Sequence, residues 1–169
     1  RLVVIHSDTG NEHPETYEHV KRIVALCAEH NIEYVNLTAD KGFHKTGWVS
    51  LQSFYESKNA IGSKAYPKTC TDNLKVQPIY RWLTSWIVDN YFPGRTDLLN
   101  RKKSLYEFAQ QHGKINVLIG IAADEAAKRI GKSEDKDKWQ RENIKKVYPL
   151  VEIGYNRQMC QDYIRSIGQ

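Results

Sequence analysis

Three short stretches of the chain combine polar, charged and glycine residues in patterns that could bind a ligand. The first follows the apolar run 2–5 and contains Ser7, Asp8, Thr9, Gly10 and Glu15. The run predicts a strand buried on both faces, the Asp-Thr-Gly triplet predicts a turn, and Pro14 suits the first turn of a helix. Because ligands of open α/β sheets bind at the carboxyl ends of strands, 8–15 is a candidate site wall. The alternative is an ordinary strand-to-helix loop with Asp8 as a capping acid.

The second stretch is 70–78, with the sequence Cys-Thr-Asp-Asn-Leu-Lys-Val-Gln-Pro. Thr71 is a good N-cap for a helical turn, and Pro78 predicts that the helix kinks or restarts before a longer helix over 79–91. Such a turn would present Lys75 to a ligand, with Cys70 as a residue of the site wall. The alternative is that Lys75 is a solvated surface lysine.

The third stretch follows the apolar run 115–121, which predicts a strand hydrophobic enough to be central in a sheet. Gly120 and Ile121 end this strand, and Asp124 and Glu125 lead into a helix that carries Arg129. The carboxyl end of this strand is therefore another candidate site. Beyond it, 128–146 interleaves basic and acidic residues, a pattern typical of a solvated segment.

Around the first stretch, hydrophobic periodicity predicts a helix from Pro14 to about His30, with Val20, Ile23, Val24 and Cys27 packed on a sheet. Asn31 would end this helix, and 32–37 alternates as a β-strand does. A strand, a helix and a second strand predict parallel pairing with a right-handed crossover, the pattern of the α/β class.

Residues 40–70 are irregular apart from a short predicted helix over 49–57, and a loop of this length is usually functional or mobile. The aromatic residues of this segment could stack on a base or could anchor a long insertion to the core: Phe43, Trp48, Phe54, Tyr55 and Tyr66.

In the second half, Thr96 or Asp97 is expected to cap a helix that runs to about His112 and stops at Gly113. Residues 147–151 predict an irregular edge segment, because Pro149 cannot donate to a strand ladder. Asn156 is expected to cap a last helix to about Ile167. Its inward side chains would be Met159, Tyr163 and Ile164.

The composition is that of one folded domain over 1–169, with a net charge of +5 that favours anionic partners. Three cysteines, Cys27, Cys70 and Cys160, without CxxC spacing indicate free thiols rather than a disulfide, a zinc site or an iron-sulfur cluster. No apolar run approaches the roughly 20 residues of a membrane span, so we expect a cytoplasmic protein. Because the chain opens with Arg1 rather than Met, we expect a fragment or a processed product.

Taken together and in this order, the three stretches resemble the phosphoadenosine phosphosulfate (PAPS) reductase family of adenine-nucleotide α-hydrolase-like domains. The sequence from Tyr148 to Glu152 is similar to the closing segment of that family. The resemblance implies a Rossmann-like open parallel sheet flanked by helices, with an adenine nucleotide lying across the strand ends.

The resemblance also implies a role for each stretch. Residues 7–10 would border the adenine and ribose, and Gly120 with Ile121 would close over the base. Thr71, Lys75 and Arg129 would bind the phosphate or sulfate. Glu15, Cys70, Asp124 and Glu125 would belong to the site wall, and no metal ligand is implied.

The chain also departs from the family. Its Ser-Gly-Gly-x-Asp-Ser phosphate loop and its Cys-Gly-Leu-His tail are not among residues 1–169. Ala122 stands where an arginine often follows the strand. Cys70 is preceded by Thr69 rather than by a second cysteine, so no iron-sulfur cluster is expected.

Three functions follow from the resemblance. The first is nucleotide binding in a reductase, in which a thiol attacks the sulfonate of PAPS or adenylyl sulfate and a reductant such as thioredoxin completes the cycle. The second is an ATP pyrophosphatase-like domain that uses ATP with Mg²⁺ to adenylate a substrate in the sulfur modification of DNA or tRNA, with 128–146 on the nucleic acid backbone. The third is a degenerate nucleotide-binding domain without catalysis.

Overall fold

The computed structural model describes residues 1–59, 69–99, 102–130 and 137–168. The chain divides into two compact units, Arg1–Trp86 and Ile87–Gln169. Each unit combines helices with one parallel pair of strands, so the predicted α/β class is confirmed. That 1–169 form a single domain stays a prediction.

The first unit begins with β1 (Val3–Ser7), α1 (Pro14–Glu29) and β2 (Glu33–Leu37), followed by a 3₁₀ turn at Ala39–Lys41. The two strands pair in parallel, with Val3 opposite Glu33 and Ser7 opposite Leu37. The predicted strand, helix and parallel strand are therefore confirmed. Asn31 follows the helix in a left-handed conformation (φ 53°), as expected for a residue that ends it.

The remaining described part of this unit contains irregular backbone over 42–50 and then helices. A short helix, α2 (Leu51–Ser57), starts at the capping residue Ser50. After it come α3 (Thr69–Thr71), a π-helical turn (Asp72–Val76) and α4 (Gln77–Tyr91). Thr71 was expected to be an N-cap, which is wrong, because its backbone is already helical (φ −61°, ψ −42°). The longer helix predicted over 79–91, after a kink or restart at Pro78, begins at Gln77, and the distortion before it is a π-helical turn that joins α3 to α4.

The core of the first unit is formed by buried apolar side chains of α1, β2, the π-helical turn, α4 and the segment before α2. They are Cys27, Leu37, Trp48, Leu74, Trp82 and Leu83. The apolar stripe predicted for α1 is only partly covered. Cys27 is buried, but Ile23 and Val24 are exposed. Periodicity correctly groups residues on one face of a helix, yet it does not show whether another element covers that face.

After the end of α4, the described residues of the second unit form two strands, five helices and two 3₁₀ turns. They are the turn Thr96–Leu98, α5 (Lys103–His112), β3 (Ile115–Leu118), the turn Ala123–Glu125, α6 (Ala126–Arg129), α7 (Lys138–Asn143), β4 (Ile144–Val147), α8 (Pro149–Glu152) and α9 (Arg157–Ser166). β3 and β4 pair in parallel, with Ile115 opposite Ile144. The core of this unit includes Ile87, Phe92, Leu98, Leu105, Trp139 and Ile144.

Two predictions for the start of this unit need correction. Thr96 and Asp97 form a 3₁₀ turn instead of capping the long helix, and α5 begins at Lys103. Gly113 ends α5 as predicted. The strand predicted over 115–121 is shorter and not buried on both faces, because its residues alternate between half-buried and exposed and Leu118 is 56% exposed.

The charged segment is more structured than expected. Its described part forms α7 and β4, and Trp139 and Ile144 are buried, so a fully solvated segment is wrong. The irregular edge predicted over 147–151 is wrong as well, since β4 ends at Val147 and α8 begins at Pro149. Alternating charges conceal the apolar positions that make this a strand. Tyr66, Lys132 and Lys136 lie outside the described residues.

The last helix starts as predicted, with the Asn156 side chain accepting a hydrogen bond from the Met159 backbone N–H at 2.9 Å. The predicted inward positions are wrong, because Met159, Tyr163 and Ile164 are exposed. In the described part of the chain, no helix is long and apolar enough to cross a membrane.

Candidate functional site

Ser7 ends β1 at the edge where the parallel strands of the first unit have their carboxyl ends. Its side chain is 5% exposed, and its hydroxyl donates a hydrogen bond of 2.7 Å to the Leu74 carbonyl. The Asp8 N–H extends the strand ladder to the Leu37 carbonyl at 3.0 Å. The carboxyl end of β1 is therefore fixed both to β2 and to the π-helical turn.

Pro78 removes one backbone donor that the Leu74 carbonyl would otherwise have. In a regular α-helix the N–H of residue 78 would donate to the carbonyl of residue 74, but proline has no N–H. The π-helical turn places the Gln77 N–H on the Asp72 carbonyl, one residue further back than in an α-helix. Pro78 therefore does not compete with the Ser7 hydroxyl for the Leu74 carbonyl.

Asp8 turns its carboxylate back onto its own loop. Its Oδ1 accepts hydrogen bonds from the Gly10 N–H at 2.8 Å and from the Tyr17 hydroxyl at 3.2 Å. Burial, followed by the nearby Asp8 charge, raises the pKa of Tyr17, although a backbone hydrogen bond acts in the opposite direction. These contacts favour the structural alternative for Asp8, a residue that shapes the loop.

The loop is also attached to the start of α2. The Leu51 N–H donates to the Thr9 carbonyl at 3.1 Å, and Asn11 exchanges two hydrogen bonds with Gln52. Gly10 has a φ of 72°, and a Cβ there would come within 2.7 Å of the Ser50 Cβ. The glycine is required both by its left-handed backbone and by this close approach.

Lys75 and the loop meet at Glu12. The Lys75 Nζ lies 3.0 Å from the Glu12 Oε1, and the buried Thr9 hydroxyl donates to the same oxygen at 2.8 Å. The Glu12 side chain is 19% exposed and the Lys75 side chain is 46% exposed. Burial acts to raise the pKa of Glu12, but the hydrogen bonds from Lys75 and Thr9 outweigh it and hold the pKa below its ordinary value.

The structure thus brings together Ser7, Thr9 and Lys75, three residues that the sequence placed in two separate stretches. It also adds Glu12, which lies within the predicted site wall 8–15 but which the sequence did not single out. A glutamate between a strand and a helix is common and gives no local signal of a partner 63 positions away. Only the contact with Lys75 distinguishes it.

The other candidate residues of the first unit are described by their exposure and by contacts with residues outside this cluster. Glu15 is exposed and bonds to the His13 side chain, which lowers the Glu15 pKa. Thr71 is exposed on the helix that carries Lys75, and Cys70 is a half-buried free thiol. Cys27 and Cys160 are free thiols as well, as the sequence predicted.

The candidates of the second unit form a separate set of contacts. Asp124 accepts a hydrogen bond from the Arg157 N–H at 3.1 Å, at the start of α9. Glu125 pairs with Arg157 at 3.2 Å and with Arg129 at 3.1 Å. These acidic residues stabilise the first turn of α9, where negative charge is favourable.

Gly120 and Ile121 continue β3 into this turn. The Ile119 N–H extends the strand ladder to the Val147 carbonyl, and the Ile121 N–H donates to the Ile119 carbonyl. Gly120 is exposed, and a Cβ there would have no neighbour within 4 Å. The roles that the resemblance implies for Gly120, Ile121 and Arg129 stay predictions.

Among the described residues, no group of three or more histidine, cysteine or acidic side chains is arranged to hold a metal ion. A scan of protein-family models, a search of curated proteins and a search of solved structures each found no match to the chain.

Proposed function

We propose that the chain binds an adenine nucleotide, with the anionic group of the nucleotide at Lys75 and the adenosine against 7–10. The proposal includes a Rossmann-like arrangement of the parallel strands and a cytoplasmic protein of the PAPS reductase type. The observation that carries it is the cluster of Ser7, Thr9, Glu12 and Lys75 at the carboxyl end of a parallel strand pair.

Three properties of this cluster support ligand binding over a purely structural role. About half of the Lys75 side chain is accessible, so a ligand can approach this residue. It projects from a π-helical turn, a distortion often found at functional sites. The surrounding loop is held by Ser7 and by the contacts with α2, so the site is preorganised before any ligand binds.

For a protein of the reductase type, the proposed reaction is reduction of PAPS or adenylyl sulfate to sulfite. A thiolate would attack the sulfonate sulfur, the nucleotide would leave, and a thiol reductant such as thioredoxin would release sulfite. The residues of the cluster would bind and orient the nucleotide. None of them supplies the attacking thiol.

Isothermal titration with PAPS, ATP with Mg²⁺, AMP and adenosine tests this function. Sub-millimolar binding of PAPS supports the reductase type, whereas binding of ATP only with Mg²⁺ supports an adenylating pyrophosphatase-like domain. Binding of none of these ligands would contradict the proposal and leave a degenerate domain.

The variant Lys75→Ala sharpens the test. Loss of a charge-assisted hydrogen bond should weaken binding of AMP or PAPS by roughly 1 to 3 kcal/mol and leave adenosine binding nearly unchanged. Lys21→Ala is the matched control, because Lys21 is an exposed lysine paired with Glu18 in the same unit. An equal loss for adenosine and AMP would show that Lys75 does not bind the anionic group.

A further inference from the structure

Lys75 already has an anionic partner before a ligand binds. Its Nζ lies 3.0 Å from the Glu12 Oε1, so the positive charge that would attract a phosphate is balanced by a carboxylate. Of the two side chains, Glu12 is the more buried. Any anionic ligand group at Lys75 therefore meets this pair and not an isolated ammonium.

A phosphate or sulfate oxygen that binds the Lys75 Nζ at a hydrogen-bonding distance of about 3 Å lies within about 6 Å of the Glu12 Oε1. Like charges at this separation repel each other, and water screens them less where one is largely buried. The ligand and Glu12 cannot both approach the ammonium without an electrostatic cost.

The surroundings allow Lys75 to change partners without moving the loop. Glu12 keeps the hydrogen bond from the Thr9 hydroxyl when Lys75 leaves it. The loop stays attached through the Asn11 side chain, which bonds to the backbone N–H and the side chain of Gln52. Only the flexible side chain of Lys75 needs to rotate.

We propose that Glu12 determines specificity at this site by competing with the anionic group of the ligand for Lys75. The inference rests on the proposed function, because it takes the ligand to be an adenine nucleotide. Its consequence is that the affinity for the anionic group depends on the free energy of the contact between Lys75 and the ligand minus that of the contact between Lys75 and Glu12.

Glu12→Gln isolates the charge, because the glutamine carbonyl can still accept hydrogen bonds from Thr9 and Lys75. In calorimetric titrations, this variant should bind AMP about three- to tenfold more tightly than the wild type, with adenosine binding unchanged. In a Lys75→Ala background the gain from Glu12→Gln should fall below about twofold. Glu18→Gln is the control for loss of a surface carboxylate and should change neither affinity.

Two results would overturn the proposal. Weaker AMP binding by Glu12→Gln would mean that Glu12 helps to position Lys75 for the ligand. A gain of the same size with and without Lys75 would mean simple repulsion between Glu12 and the phosphate, with no competition for the lysine.

A second measurement separates this inference from the proposed function. In carbon-13 NMR of the reductively methylated protein, the Lys75 signal is assigned by its loss in Lys75→Arg, and inorganic pyrophosphate is the probe. If the Lys75 signal shifts at lower pyrophosphate concentrations in Glu12→Gln than in the wild type, competition is supported. If AMP does not bind in that case, only the proposed function fails. An identical response in both proteins, or none in either, overturns the competition.

Discussion

In both units an acidic loop follows a parallel strand, but the two loops use their polar side chains differently. In the first unit, Ser7 and Thr9 are buried, and the contacts from 7–12 reach α2 and the π-helical turn. In the second unit, Asp124 is exposed and, with Glu125, contacts the start of α9 and the neighbouring Arg129. A similar sequence pattern thus produces a cross-linked polar cluster in one place and a helix-stabilising turn in the other.

The difference concerns how firmly each loop holds its polar side chains. Buried polar groups must be fully paired, so their positions are fixed and changes there are costly. Exposed ion pairs such as Arg157 with Glu125 contribute little to stability and hold their geometry weakly. The same substitution made in each unit therefore tests the comparison, because the change in the free energy of unfolding should be larger in the first unit.

The largest contrast is expected at the two loop glycines. Gly10→Ala places a Cβ 2.7 Å from the Ser50 Cβ and forces alanine into a left-handed backbone (φ 72°). Because the backbone strain and the steric overlap add, we expect a loss of roughly 2 to 4 kcal/mol in the free energy of unfolding, measured by urea denaturation.

Gly120→Ala is the matched control from the second unit. A Cβ there meets no atom within 4 Å, and the backbone is not left-handed. Its unfolding free energy should stay within about 0.5 kcal/mol of the wild type. Equal losses from both substitutions would remove the distinction between a constrained and an open loop.

Ser7→Ala tests the connection between β1 and the π-helical turn. The substitution leaves the buried Leu74 carbonyl without the Ser7 hydroxyl, which should cost roughly 1 to 3 kcal/mol in the free energy of unfolding. Ser166→Ala removes a hydroxyl with the same 2.7 Å bond to a backbone carbonyl, but at an exposed position of the second unit, and should cost less than about 0.5 kcal/mol.

A second variant shows whether Pro78 makes the Leu74 carbonyl available. In a Pro78→Ala background, the N–H of residue 78 can donate to that carbonyl, so Ser7→Ala should cost less than it does in the wild type. An undiminished cost in that background would contradict this explanation of the π-helical turn.

Local sequence patterns predicted the parts of the fold that depend on neighbours along the chain. The β1, α1 and β2 series and the capping residue Asn156 belong to this class. Burial of a helical face depends on distant elements, which explains why Met159 and Ile164 were wrongly placed inside. The strand β4 was missed because its central residues, Lys145 and Lys146, match a solvated charged segment better than a strand.

The candidate site shows the same limit. Sequence patterns identified Ser7, Thr9 and Lys75, since polar residues after a strand and a lysine on a predicted turn are local features. The pairing of Lys75 with Glu12 and the acceptance of the Ser7 hydroxyl by Leu74 depend on contacts across more than 60 residues. Such contacts leave no periodicity in a single sequence.

The smallest expected effect concerns pH and the charge of Glu12. Folding lowers the pKa of this carboxyl, since the hydrogen bonds from Lys75 and Thr9 outweigh burial, which acts to raise it. A carboxyl of this kind contributes stability that is complete above its ordinary pKa and is lost as the pH falls through its lower pKa in the folded protein. At neutral pH, Glu12→Gln should therefore be less stable than the wild type by no more than about 1 kcal/mol, because Lys75 is half exposed.

Urea denaturation from pH 7 to pH 4 should show a constant difference between the two proteins near neutrality and a shrinking one below about pH 4.5. Asp97→Asn is the comparison from the second unit, because hydrogen bonds from Arg95 hold the pKa of the exposed Asp97 far below its ordinary value. Its difference from the wild type should persist to lower pH than that of Glu12→Gln. If the stabilities of wild type and Glu12→Gln stay parallel down to pH 4, the Glu12 charge is not held by Lys75, and competition for that lysine fails with it.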